Sequence, residues 1–121
     1  MNCVDAVRRV VFHSQPEPGA FIDMLRPYSG LREEVLQDLM DALRCCASEM
    51  GHDVVDRELV SALWAISYWG RLWALDPDGM LRRNNLIPDI DLALLRAFLG
   101  RLDFAVMVLL DGGDADAAFS P

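Results

Sequence analysis

Leu59-Val60-Ser61-Ala62-Leu63-Trp64-Ala65-Ile66-Ser67-Tyr68-Trp69-Gly70-Arg71-Leu72-Trp73 is the stretch whose reading decides the fold. Its apolar residues recur at three- and four-residue steps and cover nearly every side of a helix, with no strand-like alternation. A helix of that kind belongs in the middle of a bundle. It is expected to start at Asp53 or Asp56 and to reach about Leu75. Gly70 in its interior costs up to about 1 kcal/mol relative to alanine. Close approach of a neighbouring helix or an aromatic ring is the expected compensation. Trp64, Tyr68, Trp69 and Trp73 are read as core, and any one that reached the surface would be a natural interface anchor.

The segments on either side are helical too. Upstream, Leu31–Met50 carries Leu31, Val35, Leu39, Ala42, Leu43, Cys46 and Met50 as one apolar stripe, with Ser29 as its cap and Gly51 just past its end. A first helix from about Cys3 to His13, capped by Asn2, stops before the prolines at 16 and 18. A short second helix spans roughly Gly19 to Leu25, and Pro27 closes it. Downstream, Asp76-Pro77-Asp78-Gly79 reads as a type I turn. Residues 80–88 then form a connection. The fifth helix, about Asp89 to Asp111, is expected to bury Ile90, Leu94, Leu95, Phe98, Leu102, Ala105, Val106, Leu109 and Leu110. The expectation is an all-α domain: one compact bundle of about five helices over residues 1–111 with a central hydrophobic helix. Residues 112–121 are expected to form a flexible acidic tail.

Composition narrows the function. A chain of 121 residues suits one domain and can bury roughly two-thirds of its unfolded surface. Eleven basic residues, all arginine, stand against 19 acidic ones, a net charge of −8. Such a field repels phosphate backbones and anionic membranes, so no direct nucleic-acid or membrane contact is expected and a cationic partner is favoured. Cys3, Cys45 and Cys46 suggest neither a disulfide framework nor a zinc site; buried or half-buried free thiols in a reducing cytosol are expected. The start of the chain lacks an apolar run of signal-peptide length, and no stretch approaches the ~20 apolar residues of a membrane span. A cytoplasmic protein follows as the expectation.

No catalytic constellation is visible. The two histidines, His13 and His52, fall at expected helix ends and read as surface residues; there is no HExxH, no Glu-x-x-His pair and no phosphate loop. No enzyme activity, metal or cofactor is expected. Glu34, Asp38 and Asp41 share one helix face, although like charges four apart repel by a few tenths of a kcal/mol, roughly. That face reads as a solvated surface, a protein-binding surface or, least well, a divalent-metal site. Arg82-Arg83-Asn84-Asn85 is the one basic island, read as holding its loop by pairing Arg with Asp76 or Asp78 while Asn84 or Asn85 bonds backbone groups.

The stretch Gly70-Arg71-Leu72-Trp73-Ala74-Leu75-Asp76-Pro77-Asp78-Gly79-Met80-Leu81-Arg82-Arg83-Asn84-Asn85-Leu86-Ile87 resembles small helical bacterial immunity proteins of contact-dependent growth inhibition and related polymorphic toxin systems. The motif covers about a sixth of the chain; size, acidity and helicity carry the rest of the likeness. The resemblance implies an antitoxin that binds a cognate toxin C-terminal domain, a basic nuclease, in the cytoplasm and neutralises it. Carboxylates standing where phosphates would lie speed such an encounter and add specificity. Glu34, Asp38 and Asp41 are the first-choice contacts, with Asp76, Asp78 and Arg82 second. They follow from surface expectation, since the family supplies no residue rule. The competing reading is a helical homodimer with a Trp-lined ligand pocket beside Trp64 or Trp69, and a third is an acid-bound metal enzyme.

Overall fold

The computed structural model describes residues 1–120. The protein is an all-helical bundle: α1 (Cys3–His13), α2 (Phe21–Leu25), α3 (Glu33–Cys45), α4 (Arg57–Gly70), α5 (Met80–Arg83), α6 (Asp89–Leu110) and α7 (Ala115–Phe119). Among the described residues no helix is long and apolar enough to cross a membrane.

Local chemistry sets the helix starts. Asn2 Oδ1 accepts the Asp5 N–H at 2.8 Å, and Asp56 Oδ1 accepts those of Glu58 and Leu59, so α1 and α4 begin with satisfied donors. The start of α3 differs from expectation. Ser29 does not cap it; Arg32 occupies the N-cap position without a side-chain bond, and Glu33 and Glu34 in the first turn face the positive end of the helix dipole. The expected continuous helix to Met50 breaks at Cys46 into a 3₁₀ turn, Ala47–Gly51, and the tighter winding still buries Ala47 and Met50.

The core lies where α1, α2, α3, α4 and α6 meet. Phe21 is its hub: fully buried, its ring stacks on Phe98 of α6 with centroids 6.0 Å apart. Gly70 explains itself here. A Cβ at this position would lie 3.0 Å from a Leu99 methyl and 3.6 Å from the Phe21 ring, so both a helix and an aromatic close on the bare backbone. α1, α2 and α6 all pack on α4. The helix is central, yet it is not enclosed all round.

Beyond Gly70 the chain winds through a π-helical turn, Arg71–Leu75, closed by the Asp76 N–H on the Arg71 carbonyl at 2.9 Å. A hydrogen-bonded turn follows where the type I turn is expected, with Gly79 N–H donating to the Asp76 carbonyl at 2.8 Å and the Asp78 N–H to Asp76 Oδ1 at 2.9 Å. Gly79 is buried against the wall of the π turn. A Cβ there would fall inside contact distance of the Leu72 carbonyl oxygen and 3.1 Å from that of Trp73. Gly79→Ala is therefore expected to destabilise by about 1–3 kcal/mol, since backbone rather than a flexible side chain must yield. Urea unfolding checks this, and an unchanged midpoint would show that the turn opens freely.

Two helices were not anticipated. Residues 80–83, expected as connection, form α5, which buries Leu81. Where a frayed tail was expected, Asp114 caps α7 by accepting the Ala117 N–H at 2.8 Å, and Ala118 is buried. The Arg44 guanidinium lies 4.9 Å from the centre of the Phe119 ring. Pro121, the last residue of the expected tail, lies outside the described residues. The thiols are free: Cys46 is buried, Cys3 half-buried, and Cys45 exposed, not sheltered as expected. Burial pushes the Cys46 thiol up to about 11.

Candidate partner-binding surface

Helices α4 and α6 are each apolar over a wider arc than the core can cover. On α4 the inner side is Leu59, Ala62, Leu63, Ile66 and Gly70; on α6 it includes Leu95, Phe98, Leu99, Leu102, Ala105 and Leu109. What remains is open. Trp64 is 75% exposed, Tyr68 50%, Met107 60% and Leu110 44%. Trp64, Tyr68 and Trp69, all expected in the core, are thus surface residues, because the three helices packed on α4 leave this strip uncovered. Ile90 and Leu94 are likewise exposed, contrary to expectation.

These residues meet in one groove of about 480 Å³, lined by Val60, Leu63, Trp64, Ser67 and Tyr68 from α4 and by Val106, Met107 and Leu110 from α6. Arg71 and Asp103 form an ion pair in its lining. Arg71 also reaches Ser67 Oγ at 3.4 Å. Near the opposite end the sequence places Asp56 and Glu58 just before Val60 and Asp111 just after Leu110, all three exposed. Along the side, Tyr68 meets Trp69 edge-on, Trp69 stacks on Trp73 at 4.9 Å, and Arg26 lies over Trp73 at 5.4 Å. These contacts brace the aromatic strip, leaving Trp64 without a stacking partner. A mostly apolar concavity with aromatic walls and a charged rim has the anatomy of a protein interface.

The acidic face of α3 divides. Glu34 and Asp41 are exposed, and Asp41 accepts from Gln37 Nε2 at 2.8 Å. Asp38, its side chain 35% exposed, is committed to bonds within the molecule. Its Oδ2 accepts from Arg9 Nε at 2.6 Å and bonds His13 Nε2 at 2.7 Å. His13, expected on the surface, is fully buried; its Nδ1 accepts the Phe21 N–H at 3.0 Å. That bond requires a lone pair on Nδ1, so the neutral ring carries its proton on Nε2 and donates it to Asp38. Asp38 thus ties α3 to α1, and α1 to α2 through the histidine. Among the described residues no three His, Cys, Asp or Glu side chains gather as metal ligands.

Acid sensitivity follows from this arrangement. Burial, opposed in part by Asp38, holds the His13 pKa below 6.5. Burial also opposes ionisation of Asp38, but hydrogen bonds from His13 and Arg9 outweigh it and hold that carboxyl below 3.8. For both groups the unfolded chain binds protons first, so stability falls as pH falls. The histidine contribution is complete above pH 6.5 and is lost below it, towards the lower folded-state pKa; the aspartate contribution is lost below 3.8. The urea midpoint is expected to be lower at about pH 5 than at about pH 7.5. A flat profile between the two would show that His13 protonates freely in the folded protein.

The turn residues are structural as placed. Asp76 accepts the Asp78 N–H, and Asp78 is exposed. Arg82 pairs with neither carboxylate; its Nη1 donates to the Leu75 carbonyl at 2.9 Å, bridging α5 to the π turn. Asn84 Nδ2 bonds the Met80 carbonyl at 2.9 Å, as expected for one of the two asparagines. The structure therefore does not bring the six expected contacts together as one site. Sequence reading did not single out Met107, and it placed Val106 and Leu110 in the core, whereas Leu110 is exposed and Val106 half-buried. The available signal was the excess width of the apolar arc on α6, where Leu109 and Leu110 follow Val106 and Met107 around the helix without a polar break.

Comparison with known protein families, with curated proteins and with solved structures returned no match.

Proposed function

We propose that this protein is a protein-binding module that captures a cationic partner, and that the partner is the toxin domain of a polymorphic toxin system, which it neutralises as an immunity protein. The observation that carries the binding reading is the open groove of Trp64, Tyr68, Met107 and Leu110 on a protein of net charge −8. Exposed apolar area of this kind is costly in a monomer and gains free energy when a partner covers it. Trp and Tyr are the residues most enriched among interface hot spots. The toxin identity rests on the resemblance of the segment around the Asp76–Gly79 turn, together with size, acidity and helicity. Inhibition proceeds by binding alone: apolar anchors in the groove hold the partner, and surrounding carboxylates draw its basic face in.

Co-expression with a candidate toxin domain tests the proposal. A stable complex that abolishes toxicity supports it; free toxin beside unbound protein removes the immunity reading. The electrostatic part has its own test. Glu34→Arg with Asp41→Arg is expected to slow association severalfold and flatten its salt dependence while leaving folding intact, since both side chains are exposed. Asp38 is unsuitable for such a test, because its reversal would set a like charge against Arg9 and strip the buried His13 Nε2–H of its acceptor. Unchanged association kinetics would place the α3 face outside the interface.

A second reading is favoured by the groove itself. Trp64 lines a concavity large enough for a small ligand or for the same strip of a second copy, as a helical homodimer requires. Sedimentation at several concentrations separates the two readings: a dimer that Trp64→Ala dissolves supports this one, and a monomer at all concentrations removes it.

A further inference from the structure

A second concavity lies between α3, α6 and α7 and shares no lining residue with the Trp64 groove. Its volume is about 330 Å³, and its walls include Leu36 and Met40 of α3, Phe98 of α6, and Ala118 and Phe119 of α7. Arg44 and Arg101 line it as well. Neither makes an ion pair or a side-chain hydrogen bond among the described residues, although the chain holds 19 carboxylate side chains. Arg44 is placed by its approach to the Phe119 ring, which positions the guanidinium at the edge of the apolar wall. Glu33 and Gln37 are the other polar residues of the lining. Glu33 sits in the first turn of α3 and Arg44 in the last, about 16 Å apart along a helix axis. The groove therefore carries two cationic side chains, Arg44 and Arg101, within an otherwise anionic protein, set among mostly apolar walls.

We propose that this groove binds a small amphipathic carboxylate, with the head group held by Arg44 and Arg101 and the apolar part resting on Phe98 and Phe119. A guanidinium matches a carboxylate with paired N–H donors, and two of them offset the repulsion of the surrounding field. The apolar walls supply the remaining affinity and exclude hydrophilic anions. The groove also gives α7 a role: its Ala118 and Phe119 close one side, so ligand binding stabilises the docked end of the chain.

Octanoate is the probe, titrated into the full chain by calorimetry with octylammonium as the charge-reversed control. Saturable one-to-one binding of octanoate is expected, with none of octylammonium. Arg44→Gln and Arg101→Gln, both at exposed positions, are each expected to weaken octanoate about tenfold, as loss of a charge-assisted hydrogen bond does. Trp64→Ala should bind octanoate like the parent, so this inference and the partner-binding proposal fail independently. Amide shifts on saturation should concentrate at Ala118 and Phe119. No saturation, equal binding of octylammonium, undiminished affinity in both arginine variants, or shifts centred on Trp64 would each overturn the proposal.

Discussion

A Trp64→Ala protein is expected to fold as the parent does and to bind the cationic protein partner proposed above at least about thirtyfold more weakly, the effect of losing a hot spot worth some 2 kcal/mol or more. The two halves of this expectation have separate causes. In the free protein the indole is three-quarters exposed, so its removal uncovers little core. In a complex it is the largest side chain in the groove, flanked by Tyr68, Met107 and Leu110. Calorimetric binding and urea unfolding on the same sample give both numbers. Loss of stability comparable to a core deletion would mean that the indole packs inward in solution. Full affinity with full stability would move the interface off this groove. Trp69 makes a poorer test, because it stacks on Trp73 and meets Tyr68 edge-on, so its removal mixes local packing with binding.

The Phe21→Ala protein should lose about 3–5 kcal/mol of stability, the usual result of emptying a fully buried aromatic site. For a small domain whose whole stability is about 5–15 kcal/mol, that is a large fraction. Phe21 has no room for compensation: its ring stacks on Phe98 and meets the bare backbone of Gly70. The cavity would open where α1, α2, α4 and α6 converge. Equilibrium urea denaturation measures the loss, and a cost under about 1 kcal/mol would show that the surrounding helices collapse onto the site.

The existence of α1, α2, α3, α4 and α6 was legible in the chain because it depends on local chemistry, whereas the short α5 and α7 were not anticipated. The 3.6-residue period, the caps at Asn2 and Asp56, and the Asp76–Gly79 turn all act within a few residues, and each is found where its pattern indicates. Ends governed by packing were harder to read. The break at Cys46 and the π turn at Arg71–Leu75 trade helix regularity for burial of Met50 and Ala74 against other parts of the molecule. For α7 the Asp114 cap is local, but its docking is tertiary: it packs on α6, and Phe119 meets Arg44, some 75 residues upstream.

The sequence by itself determined an all-helical domain, an acidic surface and a supply of apolar side chains on α4 and α6 larger than one stripe. Only the tertiary structure decided which of those side chains are core. Periodicity assigns a residue to a face of its helix, but burial depends on what stands opposite that face. Nothing stands opposite Trp64 and Met107, whereas α1 and α2 close over His13 and place Asp38 inside a hydrogen-bonded cluster. A buried histidine and a surface tryptophan have the same sequence signature as their opposites, and packing separates them.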